Sequence, residues 1–216
     1  MVSPRVADPA IRAALIEAAA RITADEGRHA LTLRRLAKDV GTSTMAIYTH
    51  FGSMDDLRRE VRREGFANLS SYLSSVRRTS DPVADLGLLG WAYYMSATGE
   101  PNLYRAMFLD GPVDAEDVGA GIDTFELLVA AVRRSVEAGR FSPADPVHLA
   151  TEFWSVTHGL ISLQFANLLP ASEAVERLAS MSTSLYLGYG DEPKAARRSM
   201  ALTTKRAAVF SLERAG

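Results

Sequence analysis

The chain has 216 residues, 47% apolar and 23% charged, with no cysteine and a formal net charge of −2. That apolar content supports a buried core; the absence of cysteine excludes disulfides and thiolate metal sites, and the near-neutral balance excludes a uniformly basic coat. No stretch reaches the roughly 18 apolar residues of a membrane span, and the segment before Ile22 is broken by Asp8 and Glu17, unlike a secretory signal. A cytoplasmic protein with no membrane partner is expected.

Charge is unevenly distributed. Residues 1–80 hold 13 Lys/Arg against 9 Asp/Glu, residues 81–190 hold 5 against 14, and residues 191–216 hold 6 against 3. A basic first third on an acidic body fits a head that meets a polyanion and a body that avoids it.

After a lead over residues 1–8, Asp8 and Pro9 start a helix to about Glu26 with a stripe of Ile11, Ala14, Leu15, Ala18, Ala19 and Ile22. Thr32 caps a second helix, striped by Leu33, Leu36, Ala37 and Val40, and Gly41 ends it. Ser43 or Thr44 caps a third, in which Ile47 and Phe51 face inward. Ser43, Thr44, Met45, Tyr48, Thr49 and His50 are left outward or on the flank. Ser53 caps a long helix to about Arg78, with Asp55 and Asp56 favourably placed at its positive end. Its line Leu57, Val61, Leu69, Leu73 and Val76 is inward, and its arginines read as a solvated face.

Ser80-Asp81-Pro82 starts a helix to about Thr98 in which Leu88, Trp91, Tyr94 and Met95 share an interior face. A short helix follows at 101–109. Residues 110–121, acidic and Gly-rich, read as a loop. Helices are expected at 122–138, with Phe125, Leu128, Val129, Val132 and Val136 inward, and at 146–168, apolar on nearly every side. Another runs from about Pro170 to Leu187, striped by Ala174, Val175, Leu178, Met181, Ser182, Leu185 and Tyr189. A last, weakly amphipathic one spans 191–214. No repeat or low-complexity segment interrupts the series.

Thr32, Arg34, Leu36, Ala37, Gly41, Ile47, Tyr48, His50 and Phe51 stand at spacings that resemble the DNA-binding segment of the TetR family of bacterial transcription regulators. Trp154 and His158-Gly159 similarly resemble the WHG-type C-terminal domain of that family. The resemblance covers residues 9–189 well and the tail poorly. It implies an all-α fold: a three-helix head with a helix-turn-helix (1–53), then a larger helical ligand-binding and dimerisation domain (54–216). It also implies a homodimeric regulator, a repressor by default, released from a pseudo-palindromic double-stranded DNA operator by a small apolar or amphipathic effector.

The DNA contacts it implies are Thr32, Arg34, Ser43, Thr44, Met45, Tyr48, Thr49 and His50. Ser43, Thr44 and Met45 reach base edges, while Tyr48 and His50 bond phosphates. A Tyr48 ring packed on the first helix is the alternative. The family often has Lys where Met54 stands, so this departure calls for compensation by Arg34 and Arg28, and is the sole support for a rival reading: a helical ligand-binding or scaffold protein that has lost DNA binding.

The larger domain concentrates Trp91, Tyr94, Met95, Tyr104, Met107, Phe108, Phe125, Phe153, Trp154 and His158, which line an effector cavity in the implied fold or else fill a core. Leu160, Leu163, Leu178, Met181 and Leu185 are the implied dimer contacts. His148 and Glu152 stand at zinc-binding spacing without a convincing third ligand, so no metal is expected. No Ser-His-Asp order, nucleophile elbow or phosphate loop is present; neither an enzyme nor a cofactor is expected.

Overall fold

The computed structural model describes residues 8–108 and 115–215. Among these are ten α-helices: α1 Pro9–Glu26, α2 Leu33–Val40, α3 Thr44–Phe51, α4 Met54–Ser74, α5 Pro82–Gly99, α6 Pro101–Phe108, α7 Ala115–Glu137, α8 Pro146–Phe165, α9 Ala171–Gly188 and α10 Pro193–Ala215, with a 3-10 turn at Arg28–Ala30. The all-α expectation holds. Residues 115–121, read as loop from their glycines, are helical and lengthen α7 at its start; residues 110–114 lie outside the described residues. The helix from 54 ends at Ser74, four residues before Arg78.

The chain forms two compact units, Met1–Asn68 with Gly99–Gly121 (the head unit) and Leu69–Thr98 with Ile122–Gly216 (the body unit). The first unit takes in the start of α4 and all of α6, so it extends beyond the 1–53 head expected from sequence. Its core joins Leu15, Ala19 and Ile22 of α1, Leu36 of α2, Ile47 and Phe51 of α3, and Leu57 and Val61 of α4. α6 closes on this core through Ala106. Gly65 permits the α4–α6 approach, because a Cβ there would lie 2.5 Å from Met107 Cγ.

Caps set the ends of these short helices. Asp8 accepts from Ala10 N–H at 2.9 Å, and the Ser53 hydroxyl accepts from Asp56 N–H at 3.0 Å. Each satisfies an N–H that the first turn of a helix leaves orphaned. The same Ser53 hydroxyl donates to the Asp56 carboxylate at 2.5 Å; that bond, with Arg59 in support, holds Asp56 below the ordinary carboxylate range.

In the body unit α5 is buried along almost its whole length. The tail that looked weakly amphipathic forms α10, which buries Ala196, Ser199, Thr203, Ala207 and Phe210 at helical spacing. Gly87 lets α10 close on α5: a Cβ there would lie 2.6 Å from Thr203 Oγ1, and that hydroxyl donates to Ala84 C=O at 3.0 Å.

Two buried carboxylates tie these helices. Asp85, 2% exposed, accepts from Thr79 N–H and hydroxyl, both at 2.8 Å, from Arg134 at 3.0 Å and from Arg206 at 2.5 Å. Burial opposes its charge, but these donors outweigh burial and hold its pKa below the ordinary value. Asp191, 4% exposed, receives Arg140 Nε and Nη2, both at 2.7 Å, and Ser199 links the same arginine to Asp81.

Candidate functional site

The α2–α3 pair is built as its residues dictate. Thr32 Oγ1 accepts from Arg35 N–H at 3.3 Å and starts α2. Gly41 ends it in the left-handed region, φ 72° and ψ 32°. Its N–H reaches Lys38 C=O at 3.3 Å, and Thr42 N–H reaches Ala37 C=O at 2.9 Å. This double bond pattern is the Schellman ending. Ser43 Oγ then accepts from Ala46 N–H at 3.1 Å and starts α3. The turn is thus closed at both ends by short-range bonds, and Ile47 and Phe51 fasten α3 to the head core.

On the other side of α3 stand Thr44, Met45, Tyr48 and Thr49, all exposed. Met45 is 70% and Tyr48 47% exposed, so neither ring nor thioether is held in the core. The Thr49 hydroxyl donates back to Met45 C=O at 2.9 Å. His50 is half-buried against Phe51, and its Nδ1 is enclosed without a partner. Any outward donation from this ring falls to Nε2.

The two arginines of α2 differ. Arg35 forks onto Glu26 at 2.7 and 3.0 Å, so its charge is engaged within the head. Arg34 is exposed and has no ion-pair partner among the described residues. Met54, where the family often has Lys, packs against the head core.

The residues expected around an effector divide between the two units. Tyr104, Met107 and Phe108 belong to the head unit, where Phe108 packs on Tyr104 at 5.2 Å and on Phe66 at 5.8 Å between ring centres. In the body unit Trp154 lies 6.1 Å from Phe125 and 5.6 Å from His158. Tyr93 joins them: its hydroxyl accepts from Trp154 Nε1 at 3.2 Å and lies 3.1 Å from His158 Nδ1. Burial pushes the His158 pKa down, favouring the neutral imidazole. Tyr93 was not among the residues singled out from sequence; the stripe Leu86, Gly90, Tyr93, Ala97, all buried, is the signal that carries it.

Trp91 stacks on Tyr94 at 5.5 Å and donates to Ser211 at 3.1 Å, while Tyr94 donates to Gln164 at 3.0 Å. Met95 sulfur lies 3.1 Å from the Ser211 hydroxyl. Phe153 is 1% exposed and stacks on the fully buried Tyr186.

Of the expected dimer contacts, Leu160 and Leu178 are 2% and 5% exposed, buried within the chain itself. Leu163 and Met181 are exposed, and Leu185 is half-buried. α8 itself is two-sided: Leu149, Ala150, Phe153 and Ile161 face in, while His148, Thr151, Glu152 and Ser155 face solvent. His148 Nε2 lies 3.4 Å from Glu152 on that exposed face. Among the described residues no three His, Asp or Glu side chains gather into a metal-holding group, and no helix is long and apolar enough to cross a membrane.

A capped helix, a Schellman turn and a short helix with one face open to solvent form a helix-turn-helix of the kind that enters a DNA groove. Residues 15–61 match the family model "Bacterial regulatory proteins, tetR family", and residues 86–186 match "Tetracyclin repressor-like, C-terminal domain". The two matches take in about two thirds of the chain, which belongs to the TetR family of DNA-binding transcriptional regulators. The uncharacterized HTH-type transcriptional regulator Rv0681 of Mycobacterium tuberculosis is 29% identical over 161 residues, 73% of this chain and 72% of that relative. Among solved structures, the TetR family transcriptional regulator PfmR from Thermus thermophilus superposes with a TM-score of 0.69 at 22% identity, covering 82% of this chain and 99% of that one. AibR in complex with isovaleryl coenzyme A and operator DNA superposes at 0.67 with 18% identity, covering 82% and 98%.

Proposed function

We propose that the protein works as a homodimer whose two α3 helices enter successive major grooves of a pseudo-palindromic operator, and that a small apolar or amphipathic effector releases it as a cytoplasmic repressor. The observation that carries this reading is the exposed face of α3, anchored from behind by Ile47 and Phe51. In this arrangement Thr44 and Met45 meet base edges at the start of α3, with Ser43 Oγ already engaged as its cap. Tyr48, Thr49 and His50 Nε2 meet phosphates or a thymine methyl, and Arg34 meets the backbone from α2, beside Thr32. Arg and Lys are absent from α3, so affinity rests on neutral donors and on pairing two heads more than on charge in the groove.

The effector's polar end meets the Trp154–Tyr93–His158 group, with Phe125 supplying apolar wall. The isovaleryl coenzyme A held by AibR is a precedent for an effector in this fold. Release requires an effector that binds the DNA-competent and DNA-incompetent states unequally. Exposed Leu163 and Met181 and half-buried Leu185 supply the dimer contact between the α8–α9 faces of two copies.

A mobility-shift titration against DNA upstream of the protein's own gene tests the reading. A retarded complex that weakens as salt rises is expected; no salt-sensitive complex with any neighbouring promoter overturns it. Sedimentation of the Leu163→Glu and Met181→Glu variants tests the pairing. A shift to monomer is expected, and unchanged dimer in both removes the assigned interface.

A further inference from the structure

The head unit contains a second concentration of positive charge, apart from α3. Arg28, in the 3-10 turn after α1, and Arg58 and Arg62, on consecutive turns of α4, line one small cleft with Thr23. Val61 and Ala106 contribute its apolar floor. Arg58 Nη1 donates to Asp55 at 2.7 Å, but its Nε is buried without an acceptor. Arg28 is exposed and has no carboxylate partner among the described residues. Arg62 has an interaction of its own. Of the acids on α1 and α4, Glu26 holds Arg35, Asp56 holds Arg59, and Glu60 holds Arg12 and Arg63.

Like charges gathered over an apolar floor repel. A group with several acceptor oxygens and negative charge, meeting the exposed parts of these guanidinia, relieves that repulsion. Guanidinium forks match tetrahedral and planar oxyanions in this way. The cavity is about 20 Å³ and opens to solvent, so it takes the head of one small anion and not an organic effector.

We propose that this cleft is a binding site for a free tetrahedral oxyanion, inorganic phosphate or sulfate, which bridges Arg28 of the 3-10 turn to Arg58 of α4. The site stands independently of the regulator reading, since it requires neither DNA nor effector. Its occupation ties the segment entering α2 to the helix that leaves the helix-turn-helix.

The test is thermal denaturation and calorimetric titration of the full chain with inorganic phosphate, in a zwitterionic buffer at constant ionic strength with chloride as reference. Phosphate and sulfate raise the midpoint above the chloride value, as a ligand of the folded state must. Arg28→Gln and Arg58→Gln each weaken phosphate binding by about tenfold or more. Arg58→Lys, which keeps the charge and loses the fork, falls between wild type and Arg58→Gln. Arg63→Gln, outside the cleft, leaves the titration unchanged. Circular dichroism confirms that each variant is folded. An equal shift with chloride overturns the site, as does undiminished binding in both glutamine variants. So does a third outcome, in which phosphate is silent while the two variants flatten the salt dependence of DNA binding; the guanidinia would then serve the nucleic-acid backbone.

Discussion

The ion pairs of the head unit lie at its surface, whereas the body unit, beside surface pairs such as Arg177–Glu173, has two networks built around buried carboxylates. Arg12–Glu60, Arg21–Asp39 and Arg35–Glu26 each leave at least 23% of both side chains exposed. Such pairs contribute little, so the head depends on its aliphatic core and its caps. In the body, Asp85 and Asp191 are sealed, and each is neutralised by arginines from distant positions in the chain. A buried ion pair of this kind adds modestly when complete and costs heavily when one partner is removed. One unit is therefore tolerant of charge changes and sensitive to volume; the other is sensitive to both.

The sharpest test of that contrast is Asp85→Ala, which strands Arg134 and Arg206 and is expected to destabilise the body by about 4 kcal/mol. Both tryptophans, Trp91 and Trp154, lie in the body unit, so their fluorescence during urea unfolding reads it selectively. An unchanged midpoint would refute the network's role. In the head, Leu36→Ala should cost about 3 kcal/mol by leaving a cavity at a fully buried site; a loss under about 1 kcal/mol would mean the core is loosely packed.

Acid separates the units next. The Asp85 pKa is depressed in the folded state, so its contribution is fully present above the ordinary carboxylate value of 3.8 and is lost as pH falls through and below it. Asp56 in the head shifts the same way, chiefly through Ser53, but is far more exposed than Asp85 and contributes less. Tryptophan fluorescence should therefore change at higher pH than methyl resonances of Leu36 and Ile47; coincident transitions would contradict the division.

Smaller effects follow from the helix-turn-helix. Ser43→Ala should lower stability by about 1 kcal/mol through loss of the α3 cap, measurable by thermal unfolding. Tyr48→Phe should weaken operator binding by about 1 kcal/mol on all sequences alike. A changed sequence preference would instead assign Tyr48 to base reading.

Much of this architecture was legible from local chemistry. Thr32, Gly41, Ser43 and Ser53 act where their residue types prescribe, because caps and left-handed endings are decided within a few residues of chain. The exposed face of α3 followed from the same periodicity. What escaped depends on partners far away in sequence. α10 buries Ala, Ser and Thr, which register weakly in any hydropathy pattern, and Asp85 and Asp191 look like surface charges until Arg134, Arg206 and Arg140 are in place. Leu160 and Leu178 were assigned to a dimer surface, and Phe153 to a cavity wall or core, because periodicity marks an apolar face without saying what covers it. The acidic, Gly-rich start of α7 read as loop because two glycines lower helix propensity, and packing overrides it: a Cβ at Gly121 would lie 3.2 Å from the Phe66 ring.

The position of α10 in the chain has a consequence for synthesis. The head's aliphatic core is complete once α6 has been made, so that unit is able to close while translation continues. The body is not: Asp85 is translated more than a hundred residues before Arg206, and Asp81 before Ser199. Until α10 emerges from the ribosome, α5 carries an incompletely neutralised carboxylate and an uncovered glycine face. The body of this regulator therefore completes its packing only after α10 has been made.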